Sequence, residues 1–180
     1  MNSPYQGKFK VTQKYKGKDH DGLDLVGIDS KEIHATVSGK VVYAGWENAA
    51  NHKQGFGQYV VIFAGNKYYH YGHLSEIKCK YGDYVKITDV IGVEGHTGYT
   101  IPDNENGSHC HYCVRTSMSP GTFLDINEIS GIPNVEGGIY DDGYRPPTTE
   151  KPKAQNTSLL GTLKLSNGET YTVTLTKITE

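Results

Sequence analysis

Little in this 180-residue chain is available for cross-linking, for crossing a bilayer or for binding polyanions. It has three cysteines, Cys79, Cys110 and Cys113, an odd number too small for a disulfide framework. No apolar run approaches the ~18 residues of a membrane-crossing helix, so no membrane span is expected. The formal net charge is −2, and a nucleic-acid partner, which a basic stripe would announce, is not expected. The opening residues, Met1-Asn2-Ser3-Pro4-Tyr5, lack the apolar core of a signal peptide. Sustained helical periodicity is missing too, which leaves room only for short helices near residues 74–77 and 125–129.

What is present is turn-rich and β-rich. Hydrophobic residues make up 36% of the chain, beside 14 Tyr and 22 Gly. Val, Ile, Thr and Tyr, the strand formers, recur throughout. Residues 33–37 and 40–44 read as a hairpin about Ser38-Gly39. Residues 57–63 read as a buried strand, turned by Ala64-Gly65-Asn66 into residues 67–71. Two shorter strands are expected at 81–85 and 90–93, and a last one over 109–115. The expected fold is mainly β: an antiparallel sheet or barrel-sandwich core, with long loops forming a groove over a metal site. Composition shifts at Glu136, and Gly137-Gly138, Pro146-Pro147 and Lys151-Pro152-Lys153 mark a linker. The expected organisation is a main domain over 1–135, a linker over 136–158 and an appendage over 159–180. Asn167-Gly168 between two alternating runs makes that appendage a β-hairpin.

The chemistry lies in the histidines. His109 and His111 form a His-x-His pair, and His20 and Asp24 a His-x-x-x-Asp pair. Residues two or four apart share one face of a strand, so each pair can point one way and converge on one ion. Three protein ligands with nitrogen and oxygen donors, plus one open position for water, are the pattern of a catalytic zinc site; a structural site would more often close with four ligands and favour cysteine. The other histidines read differently. His34 alternates away from Ile33, Ala35 and Val37 and is expected at the surface. His52 sits in a polar loop, and His70 shares a strand face with Tyr68. His96 lies in the turn Gly95-His96-Thr97-Gly98, where turn geometry or a groove lining would each account for it. The polar loop 99–108 reads either as the rim of the site or as a solvated connector.

With His73 in Tyr71-Gly72-His73-Leu74-Ser75 between the two pairs, the set resembles the lysostaphin-type zinc endopeptidases, which cleave peptide bonds in bacterial peptidoglycan. The family's His-x-Gly-x-Asp is matched by His20-Asp21-Gly22-Leu23-Asp24, and its Tyr-x-His-Leu-Ser box by Tyr71 to Ser75. Its Gly-Asp-x-Val, Ile-Gly and Gly-x-Thr-Gly stretches are matched by Gly82 to Val85, Ile91-Gly92 and Gly95 to Gly98. Its closing His-Leu-His-Phe-Glu is matched by His109-Cys110-His111-Tyr112-Cys113. The resemblance covers roughly residues 8–131, in the family's order.

It implies one zinc ion on His20, Asp24 and His111, with His73 and His109 as the catalytic histidines. Those two would act as general base or acid and as oxyanion stabiliser. The His-Glu-x-x-His helix of other zinc proteases is absent, so proton transfer falls to histidine. The chain departs from the family at Cys113, where Glu is common, and at Cys110, where Leu is common. By alternation Cys113 shares a face with His109 and His111, as a buried thiol or a soft ligand, whereas Cys110 packs on the other side. The loop between Gly98 and His109 is longer than the common form. Tyr15 stands in poor register for the tyrosine that assists catalysis in relatives.

The expected substrate is bacterial peptidoglycan, reached outside the cell by a phage lysis or virion protein, or by a secreted hydrolase separated from its leader. Two other readings compete. One is a catalytically silent relative that binds peptidoglycan or a partner, which His109→Ala would distinguish by sparing its function. The other is a lipoyl- or biotinyl-carrier barrel, suggested by Gly82-Asp83-Tyr84-Val85 and Ile91-Gly92. That barrel needs a modifiable Lys at a hairpin tip, commonly beside Met, and neither Met1 nor Met118 has that context.

Overall fold

The computed structural model describes residues 1–118, 122–143 and 158–176. In chain order these form β1 (Lys8–Gln13), β2 (Gly22–Gly27), β3 (Glu32–His34), β4 (Gly39–Trp46), β5 (Gln58–Ala64), β6 (Lys67–Leu74) and β7 (Glu76–Ile77). There follow β8 (Tyr84–Val85), β9 (Val90–Val93), β10 (Cys110–Arg115), helix α1 (Ile126–Ser130), β11 (Ile139–Asp141), β12 (Ser158–Lys164) and β13 (Thr170–Thr176). Eight strands make one antiparallel sheet in the order β11-β1-β2-β10-β6-β5-β4-β8, open rather than closed into a barrel. Strands β3, β9 and β7 form a second, small sheet.

The alternation in the sequence decides which face is dry. Phe9 and Val11 on β1, Leu23 and Leu25 on β2, Tyr69 and Tyr71 on β6, and Cys110, Tyr112 and Val114 on β10 all enter one core. Fully burying a side chain of this size contributes about 1.5–3 kcal/mol. Tyr71 and Tyr112 stack with ring centroids 5.3 Å apart. Their hydroxyls meet the Thr36 hydroxyl at 2.6 and 2.8 Å, so neither is left unsatisfied in the core.

That knot explains why the hairpin expected over 33–44 does not form. Thr36 is held under the large sheet, and residues 35–38 cross between sheets instead of turning. Strand β3 therefore pairs with β9, while β4 pairs with β5 and β8. The register shifts between Ile33 and His34, which buries both. His34 is accordingly a buried residue that donates from Nδ1 to the Thr88 carbonyl at 2.8 Å, and the surface expectation for it fails at this bulge. The short helix expected over 74–77 is also absent. Ser75 donates its N–H to Val93, and Glu76–Ile77 continues as β7 along β9. Helix α1 does form, with Asp125 capping the N–H groups of Asn127 and Glu128.

The chain divides into two compact units, Met1–Arg145 and Pro146–Glu180. Within the first, β11 pairs with β1 inside the stretch whose composition reads as linker. Residues 144–157 of that stretch lie outside the described residues, as does Ile178 at the end of the expected hairpin. The second unit contains β12 and β13, paired from Ser158↔Thr176 to Lys164↔Thr170 about the Asn167-Gly168 turn.

Candidate metal centre

The site lies on the face of the large sheet away from the core, over its three central strands. Because Leu23 and Leu25 point into the core, Asp24 between them points out. The same alternation turns out His111, Cys113 and Arg115 on β10. Asp24 and His111 are direct partners in the β2–β10 register, and Gly72 of β6 lies on the other side of His111. Glycine at 22 makes room for the imidazole, and glycine at 72 for the Phe56 ring beside it. A Cβ on Gly22 would stand 2.7 Å from His111 Nε2 and 2.7 Å from the Tyr112 carbonyl oxygen. His20 lies just before β2, so its place is set by an isolated bridge to Gly17 and not by the pleat. His109 likewise precedes β10, and its N–H donates to the Gly95 carbonyl at 2.9 Å.

The structure brings all five expected residues together. Asp24 Oδ1 lies 3.1 Å from His20 Nε2, 2.8 Å from His111 Nδ1 and 3.6 Å from His109 Nε2. His73 packs beside His109, with ring centroids 4.6 Å apart. Three of these imidazoles are tied by the other nitrogen to a backbone carbonyl. His20 Nδ1 donates to Lys14 at 2.8 Å, His73 Nδ1 to Thr97 at 2.8 Å and His109 Nδ1 to Gly107 at 2.7 Å. A carbonyl only accepts, so each neutral ring is fixed with its proton on Nδ1 and its lone pair on Nε2. At His20 that lone pair faces a carboxylate oxygen, an arrangement that requires a second ring proton or a shared cation. His20, Asp24 and His111 each offer one donor atom, and all three atoms lie within 4.8 Å of one another. A pair of nitrogens and an oxygen suits a borderline divalent ion such as zinc.

Electrostatics support the same grouping. Burial works against charge on Asp24, but hydrogen bonds from His111 and His20 overcome it and hold the carboxyl well below the usual carboxylate range. Burial likewise opposes a charge on His111, yet Asp21 and Asp24 on either side push its pKa well above the ordinary histidine value. His73 goes the other way: burial, reinforced by the charges of His109 and His111, pushes it down to about 3. Its backbone stands at φ 62, a left-handed conformation that costs a non-glycine residue about 1–2 kcal/mol. This break in the alternation of β6 brings its ring to His109, and the His73 N–H is held by the Phe56 carbonyl at 2.7 Å.

Several supporting residues carry no motif signal of their own. Asp21 accepts from His111 Nε2 at 3.2 Å and from Arg115 Nε at 2.8 Å, so a carboxylate orients the far nitrogen of His111. Glu94, whose side chain is fully buried, accepts from Tyr5 Oη at 2.6 Å, Gly27 N at 2.8 Å, Lys31 Nζ at 2.8 Å and Ser108 Oγ at 3.0 Å. The stretch from Glu94 to Thr97 thus touches both histidines: Thr97 holds the ring of His73, Gly95 the backbone of His109, and Glu94 the residue before His109. Asp21 is the variable residue of the first motif, and the turn at 95–98 was legible as a turn; nothing in the sequence marked Glu94.

A groove of about 690 Å³ opens above the site. Asp24, His73, His109 and His111 line it, together with Tyr99 and Ile101. Those last two are 67% and 77% exposed, so the 99–108 loop is a rim with apolar residues facing solvent. His52 stacks on Trp46, and Tyr15 packs against the core. Cys110 is buried in that core, and Cys113 is buried on the site's side of the sheet.

Residues 18–122 match the sequence profile of Peptidase family M23. The chain belongs to this family. It is 27% identical over 158 residues to lysostaphin of Staphylococcus staphylolyticus, covering 87% of this chain and 30% of that protein. It is 28% identical over 166 residues to the glycyl-glycine endopeptidase ALE-1 of Staphylococcus capitis, covering 91% and 41%. The chain therefore spans less than half the length of these curated relatives. The catalytic domain of lysostaphin from Staphylococcus simulans superposes with a TM-score of 0.54 at 29% identity, covering 69% of this chain and 91% of that one. A catalytic-domain variant of the prophage-encoded M23 protein EnpA from Enterococcus faecalis gives 0.55 at 28%, covering 69% and 94%. Family M23 is a metal-dependent peptidase family, and the His/Asp group described above fits that requirement.

Proposed function

We propose that this family M23 chain is a zinc endopeptidase that hydrolyses peptide bonds in the stem peptides or cross-bridges of bacterial peptidoglycan, outside the cell. The observation that carries this reading is the convergence of His20, His111 and His109 on one oxygen of Asp24, with His73 packed against His109. Similarity to a glycyl-glycine endopeptidase supports a peptide bond as the substrate. Among the described residues no helix is long and apolar enough to cross a membrane.

His20, Asp24 and His111 would hold the ion. Zinc bound there supplies Lewis acidity, which makes water easier to deprotonate and polarises the scissile carbonyl. The remaining work belongs to His73 and His109. Their Nδ1 protons are fixed on Thr97 and Gly107, so Nε2 is the working atom of each ring. Two rings this close do not both carry charge. A charge on His109 would add to burial in keeping His73 neutral. One ring accepts the proton of the attacking water, and the pair returns it to the departing amine. A protonated Nε2 also donates to the oxyanion of the tetrahedral intermediate. The walls of the groove orient the peptide over these atoms.

The test is digestion of peptidoglycans of several cross-link types, with fragments identified by mass spectrometry. New amino termini at one defined peptide bond, lost with chelator, restored by zinc and absent with His109→Ala, are the expected result. Unbroken walls from a protein carrying stoichiometric zinc would refute the reading and leave a binding role.

A further inference from the structure

His111 has donors on both of its sides. Beyond Nε2, the side away from Asp24, stand Asp21 and Cys113. A carboxylate oxygen of Asp21, a ring nitrogen of His111 and Cys113 Sγ all lie within 4.8 Å of one another, the span that also describes His20, Asp24 and His111. Arg115 grips Asp21 by its other oxygen, Oδ2, at 2.8 and 2.5 Å, so Oδ1 stays turned toward His111. Cys113 has no solvent exposure and stands two residues along β10 from His111, on the same face.

A second, independent feature lies on the neighbouring strand. His70 is the register partner of Cys113 in the β6–β10 pairing. Directly opposed residues share a face, with Cβ atoms about 4.5–5.5 Å apart. His70 is 1% exposed, and neither ring nitrogen has a hydrogen-bond partner. Buried polar groups are nearly always paired, so an imidazole orphaned at both nitrogens beside a buried thiol needs a ligand to account for it.

We propose that Asp21, His111 and Cys113 form a second cation position next to the first, with the unpaired imidazole of His70 opposite Cys113 on the same face. A thiol, imidazoles and a carboxylate select a borderline or soft divalent ion, such as Zn²⁺, Co²⁺ or Cd²⁺, over Mg²⁺ or Ca²⁺. Binding there releases the thiol proton of Cys113 and the Nε2 proton of His111. Asp21 and the thiolate together offset the nearby guanidinium of Arg115. With both positions filled, each ion would find one nitrogen of His111, since Nδ1 faces Asp24 and Nε2 faces Asp21. This position does not depend on peptidase activity, and its test reads metal binding alone.

The full chain is titrated with Co²⁺ alone and followed by near-ultraviolet absorption, where a thiolate bonded to Co²⁺ gives a charge-transfer band that nitrogen and oxygen ligands lack. Two equivalents and a thiolate band are expected in the unaltered protein. Cys113→Ser should remove the band and one equivalent, Cys79→Ser should leave both, and His20→Ala should remove one equivalent while sparing the band. Saturation without any thiolate band in the unaltered protein overturns the proposal with no variant needed. A band that survives Cys113→Ser, or one that disappears with His20→Ala, overturns it as well.

Discussion

Replacing Glu94 by Gln tests whether the catalytic histidines are held by a carboxylate that no motif marks. The side chain is fully buried and accepts four hydrogen bonds, one of them from a lysine that is itself 52% exposed. Glutamine keeps the shape but turns one acceptor oxygen into a donor. The amide is better placed on the Oε1 side. There Lys31 can swing into water and the Ser108 hydroxyl can rotate to accept, whereas on the Oε2 side the Gly27 N–H would face another donor. The ammonium contact is then lost and the remaining bonds become neutral. A hydrogen bond to a charged group contributes about 1.5–3 kcal/mol net and a neutral one about 1 kcal/mol. Screening leaves the half-exposed ammonium contact about 0–1 kcal/mol, and weakening the three other bonds by at least about 0.5 kcal/mol each makes the expected loss of stability about 2 kcal/mol or more, a large part of the ~5–15 kcal/mol that holds a domain folded.

The same change should reach catalysis. Ser108 sits between Gly107, whose carbonyl receives the His109 Nδ1 proton, and His109 itself. A shift on the order of 1 Å at a reacting group can cost about a hundredfold, so a fall in kcat of about tenfold or more is expected, with bound zinc unchanged. Urea unfolding of both proteins gives the first quantity and turnover of a peptidoglycan peptide the second. A Glu94→Gln protein within about 0.5 kcal/mol of the parent, the scatter of ordinary surface changes, and with unaltered kcat would show that Glu94 neither holds the loop nor positions His109.

Three further outcomes follow from the same geometry. Asp21→Asn weakens the acceptor for His111 Nε2, and zinc affinity measured against a competing chelator should fall about 10–100-fold, as for other residues that orient a ligand. Gly22→Ala puts a methyl against His111 and the Tyr112 carbonyl; it should lower both the unfolding midpoint and zinc affinity, and a protein unchanged in both would contradict the packing account. For His70, burial and then the charge of Arg115 push the ring down to about 3, below the ordinary ~6.5. The unfolded chain therefore takes up the proton first as pH falls, and stability present above pH ~6.5 is lost between ~6.5 and ~3. Relative to His70→Phe in chelator, the parent should lose about 2 kcal/mol between pH ~7.5 and ~5, and parallel curves would count against a neutral buried ring.

What could be read in advance was what repeats at short range. Alternation located β5, β9 and β10 to within a residue or two, and it placed His111 and Cys113 on one face, because residues two apart on a strand point the same way. The short helix expected near 125–129 is α1. Long-range pairing was not legible in the same way. Ile33 could have paired within a hairpin; what sent β3 to β9 was the pair of tyrosine hydroxyls meeting Thr36, a contact spanning 35 residues to Tyr71 and 76 to Tyr112. His34 went inside for the same reason, since a bulge defeats a parity argument by one residue. The site shows the two regimes side by side. Its ligand set is written in spacings, but its tautomers are set by the carbonyls of Lys14, Thr97 and Gly107, which any residue type would supply. A motif therefore specifies which atoms can meet, while the surrounding loops decide which of those atoms carries the proton. Where this chain leaves the family pattern, at Cys113, the consequence depends on His70, forty-three positions away in sequence and directly opposite in register.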